Sequence, residues 1–179
     1  MKLMEWTLDF IHKNNNFGWV EGRRVEWVLP LQERIAMLLE GKAFVLSSDK
    51  EREWFVKYFL HNINDKANLR PLLPFFSLKS LFDGFEELQT PEEFSLLEDM
   101  LKIAFPQGFI HFFIGKAGAK NAQFVRGKEN GYLWLFDQQD ANSFLLSSRD
   151  ELLDAKLLQL FELFNRSISG VLHGKITIN

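Results

Sequence analysis

The residues most able to do chemistry sit at Ser47-Ser48-Asp49-Lys50-Glu51, between an apolar run (Ala43 to Leu46) and a helical pattern carrying Trp54 and Phe55. The order reads as a buried strand, a polar junction and a helix. Ser48 with Glu51 three residues on is a capping-box spacing, which predicts a helix start at Ser48 or Asp49. In nucleotide- and phosphosugar-binding α/β folds this turn carries glycines, so that backbone can approach a phosphate at the helix N-terminus. No glycine lies here, and Asp49 and Glu51 would repel an anion. Ser47 and Ser48 lack a GxSxG elbow, so neither is expected to act as a nucleophile.

Other candidates are weaker matches to known chemistry. Gly115-Lys116-Ala117-Gly118-Ala119-Lys120 follows a strand, but its spacing is not that of a phosphate loop and Asn121 stands where Ser or Thr would hold magnesium. With Arg126 and Lys128 it reads as a basic loop. His12, His61, His111 and His173 share no i, i+4 pair, so no metal site is expected. Asp137 and Asp140 follow a strand, at the end where α/β sheets place ligands, but ordinary polar residues are the default there and neither is expected to be catalytic. Asp83 to Asp99 carries only acidic charges, as a solvated face or an acidic docking face.

Composition narrows the classes. The 179 residues are 46% hydrophobic and 25% charged, with net charge −3 and no cysteine. One α/β domain over residues 1–179 accommodates this length. Absence of cysteine excludes disulfides, zinc–thiolate sites and cysteine nucleophiles, and fits a cytoplasmic setting. The charge gives no reason to expect a nucleic-acid or membrane partner. The first residues lack the apolar core of a signal peptide, and no run is long enough to span a membrane.

The elements that must position these residues follow from periodicity. Helices are expected at 3–13, 22–40, after Ser48 to Ile63, from Thr90-Pro91-Glu92-Glu93 to Ala104, near 119–125 and at 150–172. The first shows two apolar faces, as if buried between two bodies. In the second, Val25, Val28, Leu29, Ile35, Leu38 and Leu39 are expected inside, with a kink or break at Pro30. Strands are expected at 43–46, 70–78, 109–114, 132–136 and 143–146, the second at an edge because of its prolines. Ser48 and its echo Ser148, each followed by Glu three residues on, are expected to cap the helices after them. The last helix has a narrow polar stripe (Lys156, Gln159, Glu162, Arg166, Ser169) and apolar residues elsewhere. That predicts burial beyond one sheet face, with a second subunit as the expected cover. The tail, Lys175 to Asn179, reads as β-prone.

Several of these stretches resemble the HobA family: Phe44-Val45-Leu46-Ser47-Ser48-Asp49 to Trp54-Phe55, Arg70-Pro71-Leu72-Leu73, Tyr132-Leu133-Trp134-Leu135-Phe136, and Leu152 through Phe164. HobA proteins are similar to sugar-isomerase (SIS) domains and to DiaA. The resemblance implies a flavodoxin/SIS-like three-layer sandwich with a five-stranded parallel sheet, assembled as a homotetramer (dimer of dimers). It implies a non-enzymatic adaptor without cofactor or metal. Such an adaptor binds the N-terminal domain of the initiator DnaA and promotes its assembly at the replication origin, with no DNA or membrane contact of its own. An apolar pair important for DnaA binding in DiaA aligns with Leu172 and His173. Lys175 is its polar neighbour, and the helix pattern adds Arg166 and Ser169. The alternative is a sugar-phosphate-binding SIS-type protein or isomerase, which needs an anion pocket at Ser47–Glu51 or Lys116–Lys120.

Overall fold

The computed structural model describes residues 1–178; of the expected tail, Asn179 lies outside them. Its frame is a five-stranded, all-parallel sheet in the order β2-β1-β3-β4-β5. The elements run α1 (Leu3–Lys13), α2 (Gly18–Glu21), α3 (Arg24–Leu39), β1 (Ala43–Ser48), α4 (Glu53–Ile63), β2 (Phe75–Ser77) and α5 (Leu78–Leu81). They continue with α6 (Pro91–Ala104), β3 (Phe109–Lys116), α7 (Lys120–Val125), β4 (Gly131–Phe136), β5 (Ser143–Leu146) and α8 (Leu153–Leu172). β2 is at an edge as expected, but it is only Phe75–Ser77, and Pro71 and Pro74 lie before it, where no ladder donor is needed.

Both sheet faces are apolar, as a parallel sheet requires. Phe44, Phe112 and Trp134 face a core built by α1, α3, α4 and α8. Ala43, Val45 and Phe109 face the opposite layer, with Leu97 and Leu101 of α6, while Phe113 and Leu135 meet α7. The layers are helix, sheet, helix. Thr90 and Glu93 close the expected capping box at the start of α6, with Pro91 at the first helical position.

Four expectations need correction. Val25, Leu29 and Leu39 are half exposed, because α3 offers the sheet only one stripe: Trp27, Val28, Leu31, Ile35 and Leu38. The helix passes through Pro30 without a break. Inside the helix proline removes one intrahelical bond, and the flanking stripe of Val28, Leu31 and Ile35 holds both halves on the core. Ser148 and Glu151 do not cap the last helix: Ser148 hydrogen-bonds Asp137, Asp150 accepts from the Leu152 amide, and α8 begins later, at Leu153. Finally, the breadth of α8's apolar surface is used within the chain. Leu157, Leu160, Leu163, Phe164 and Ile168 are all fully buried, and only Leu158 and Leu172 of its large apolar residues stay exposed.

Two buried polar clusters fix helices to the sheet. Arg34 of α3, 1% exposed, donates to the carbonyls of Gly131 and Glu129 at the start of β4. Burial lowers the pKa of its guanidinium. On the other face, His111 in β3 meets Glu98 of α6 at 2.9 Å, and Lys128 reaches the same carboxylate at 3.4 Å. Burial opposes the Glu98 charge, but the His111 hydrogen bond and the charges of His111 and Lys128 outweigh it, holding this carboxyl below its usual range. Among the described residues no helix is long and apolar enough to cross a membrane.

A carboxyl with a lowered native pKa stabilises the fold above its unfolded value, and that contribution is lost as pH falls through the native value. Glu98→Gln is therefore expected to lower the urea midpoint at pH 7. The gap from wild type should shrink as pH falls below about 4.3, the ordinary Glu range. A gap unchanged from pH 7 to pH 3 would show that the Glu98 charge contributes nothing.

Candidate partner-binding surface

The two ends of the sheet have different chemistry. At the carboxyl ends of the strands, β1 and β3 are neighbours whose connections leave in opposite directions, which is where open α/β sheets hold ligands. A cavity of about 500 Å³ opens here, lined by Ser47, Ser48, Lys50, Lys79, Phe82 and Lys120 among others. Its innermost anion position is filled by the protein. Asp49 Oδ1 accepts from the Arg52 amide at 3.0 Å, and Oδ2 accepts from the Lys116 amide at 2.7 Å. Asp49, not Ser48, caps the turn Lys50–Arg52 that leads into α4; Ser48 Oγ donates to the Asp49 carbonyl instead. Gly115 leaves the space, since at φ +144 a Cβ there would lie 2.3 Å from Asp49 Oδ2.

The basic loop is likewise engaged. Lys116 pairs with Glu51 at 2.9 Å, Lys120 donates to the Glu86 carbonyl, Arg126 pairs with Asp140, and Lys128 with Glu98. The Lys116 hydrogen bond lowers the Glu51 pKa, and the same contact raises that of Lys116. Asp137 is held low by its hydrogen bonds from Ser148, and Asp140 by that from Arg126. The loop cations and Asp49, Glu51, Asp137 and Asp140 at this end thus have internal partners, and among the described residues no serine here has an adjacent histidine base. Among the described residues, no three acidic or histidine side chains cluster to hold a metal ion.

The amino ends of the strands carry the residues singled out on the last helix. α8 ends in a tight reversal: the amides of Gly174 and Lys175 donate to the Val171 and Gly170 carbonyls, and Gly174 takes φ +69. Ile176 then folds back onto Gly170, where any side chain would collide with it. Leu172, His173 and Lys175 are consequently exposed on a fixed turn, and Arg166 is exposed beside Glu162, 3.9 Å away. Ser169 is drawn inward, because its hydroxyl accepts from Arg70.

That arginine was not legible as a site residue, and it joins the last helix to the connection before β2. Arg70 donates to the Asn165 carbonyl and side chain, the Ser169 hydroxyl and the Ile63 carbonyl. Burial pushes its guanidinium down to about 10, so it stays charged at neutral pH. Next to it, His173 Nε2 donates to the Leu69 carbonyl at 3.2 Å. Leu69 and Leu72 project into solvent. The structure therefore brings Leu172, His173 and Lys175 together with an exposed loop, of which residues 70–74 were expected to be strand.

A family model described as HobA, DNA replication regulator, matches residues 1–178. The DNA replication regulator protein HobA of Helicobacter pylori is 28% identical over 181 residues, covering 97% of each chain. A crystal structure of a HobA–DnaA (domain I-II) complex from the same organism aligns with TM-score 0.76 at 29% identity, over 97% of both chains. The crystal structure of H. pylori HobA aligns with TM-score 0.77 at 28% identity, over 97% of this chain and 96% of that one.

Gly115→Ala is expected to destabilise the fold by about 3 kcal/mol or more, since it combines an overpacked contact with a backbone conformation foreign to alanine. Denaturant unfolding measures this. A loss under about 1 kcal/mol would mean that Asp49 is free to leave its position. Wild-type protein is expected to show no saturable thermal shift with sugar phosphates, because the anion position is already occupied.

Proposed function

The chain belongs to the HobA family of DNA replication regulators, and from that we propose that it is a non-enzymatic adaptor for the N-terminal domain of DnaA. The observation that carries this reading is the full-length likeness to a HobA solved in complex with DnaA domains I-II. The Asp49 carboxylate supports it from the other side, since the position where an SIS-type enzyme would take a phosphate is filled.

In this reading residues 1–179 act as one domain, in the cytoplasm, without cofactor or metal. Four copies form a tetramer and present identical docking sites, so several DnaA molecules are held together and their assembly at the origin is promoted. Linking sites raises the effective concentration of what they hold, to roughly millimolar for short spans, without any DNA contact. An exposed stripe on α6 (Leu96, Met100 and Ile103, at i, i+4 and i+7) supports subunit contact, because a surface of this kind is rare on a chain that stays alone. The basic side chains Lys116, Lys120, Arg126 and Lys128 are all paired internally, which favours an adaptor over a DNA binder.

The docking residues in this reading are Leu172, His173 and Lys175, with Arg166 at the rim and Ser169 holding Arg70 beneath them. Titration of the full chain with isolated DnaA N-terminal domain should give saturable binding. Leu172→Ala with His173→Ala should weaken it tenfold or more, about 1.4 kcal/mol, and leave the mass of the assembly unchanged. Absence of binding by well-folded wild-type protein contradicts the function. Unchanged affinity in the double variant contradicts the site alone.

A further inference from the structure

Leu69 is 84% exposed and Leu72 82%, more than any other large apolar side chain that stands out on the described surface. Single exposed leucines are ordinary. These two share one short loop with Leu172 and His173 beside it, and the loop is firmly tied down. Asp65 caps its first turn by accepting from the Ala67 amide. Asn68 donates to the Asn62 and Ile63 carbonyls, and Asn64 holds both the amide and the carbonyl of Leu73. Arg70, between the two leucines, is clamped onto α8. Their exposure is therefore built in by the surrounding bonds.

Leu69 also occupies the left-handed region, at φ 49 and ψ 43, ending the turn Lys66–Asn68. Leucine is a poor residue for that conformation, and glycine or asparagine would adopt it at less cost. Here a strained backbone carries an apolar side chain outward, where burial gives no return within this chain. Retained strain of this kind is a mark of functional surfaces.

The rim is cationic although the chain is acidic overall. Lys66, Arg166 and Lys175 are exposed around the leucines. Of the nearby acids, Asp65 is engaged in its cap and Glu162 lies beside Arg166.

We propose that Leu69 and Leu72 are the apolar anchors of the docking surface, and that they seat a folded protein domain whose apolar patch has an acidic rim. This rests on the reading above, in which that domain is the N-terminal domain of DnaA. The surface lies at the amino ends of the strands, away from the crevice that Asp49 lines. Burying both leucines against a partner supplies the solvent exclusion that the chain itself lacks.

The test uses full-length Leu69→Asn and Leu72→Asn, with three readouts: affinity for isolated DnaA N-terminal domain, melting temperature, and assembly mass. Leu69→Asn is expected to melt at or above the wild-type temperature, because asparagine relieves the backbone strain, and to bind at least tenfold more weakly. Leu72→Asn is expected to weaken binding by a similar factor, and neither substitution should change the mass. A purely structural role for Leu69 would instead lower the melting temperature, and that result overturns the proposal. So does wild-type affinity in both variants while wild-type protein binds. A fall in mass also overturns it, because the patch would then join copies of this chain. If wild-type protein does not bind at all, the function fails before the anchors are reached.

Discussion

A parallel sheet has no polar face, and here one helix sets an aromatic ring at the centre of the cover on one face. Phe164 of α8 lies within 6.4 Å, ring to ring, of Phe44, Phe59, Phe75, Phe112, Tyr132 and Trp134. Such aromatic pairs add about 0.5–1.5 kcal/mol each beyond the area they bury. The helix cannot be moved without opening β1 through β4 together. Its course is thereby fixed: it starts after β5 at one end of the strands and returns to the other. Its last turn arrives beside the connection that leads into β2. The position of Leu172 and His173 is a consequence of how the sheet is covered.

The two ends of the sheet then divide their work. Asp49 brings together an amide from the turn before α4 and one from the end of β3, and Gly115 leaves it room. A carboxylate in that position satisfies donors that a phosphate would otherwise meet. At the crevice end the Asp49 carboxylate occupies the amides that an anion would meet, while the amino end carries a tied loop, exposed leucines and exposed cations. In the proposed reading, a fold that commonly holds a small molecule at one end offers a docking surface at the other. Fold alone does not settle function, and it is the chemistry of the particular residues that separates the two uses.

Local chemistry wrote most of the architecture legibly. Apolar runs bounded by turns marked the strands, and Thr90-Pro91-Glu92-Glu93 marked the start of α6 because its whole cap lies within four consecutive residues. What the sequence hid was pairing across long separations. Arg34 to Gly131, His111 to Glu98, Asp49 to Lys116 and Arg70 to Asn165 each join residues that no periodicity relates. The same blindness explains the false cap at Ser148: the spacing was right, but Asp137 claimed the hydroxyl from across a loop. It also explains the width of α8, which was read as room for a subunit when α1, α4 and the returning tail supply the cover. The candidate surface was legible only on its helical half. Leu72 sat in the 70–78 stretch read as strand and Leu69 just before it, because prolines and leucines fit an edge strand as well as a tied loop.

Backbone hydrogen exchange of the full chain, with and without saturating DnaA N-terminal domain, tests the central claim most directly. New protection is expected across residues 66–73 and 169–175, where the loop and the end of α8 meet, with the Ser47–Arg52 turn unchanged. Protection confined to the exposed stripe of α6 or to the crevice at Asp49, with both of those segments exchanging as in the free protein, would contradict the account.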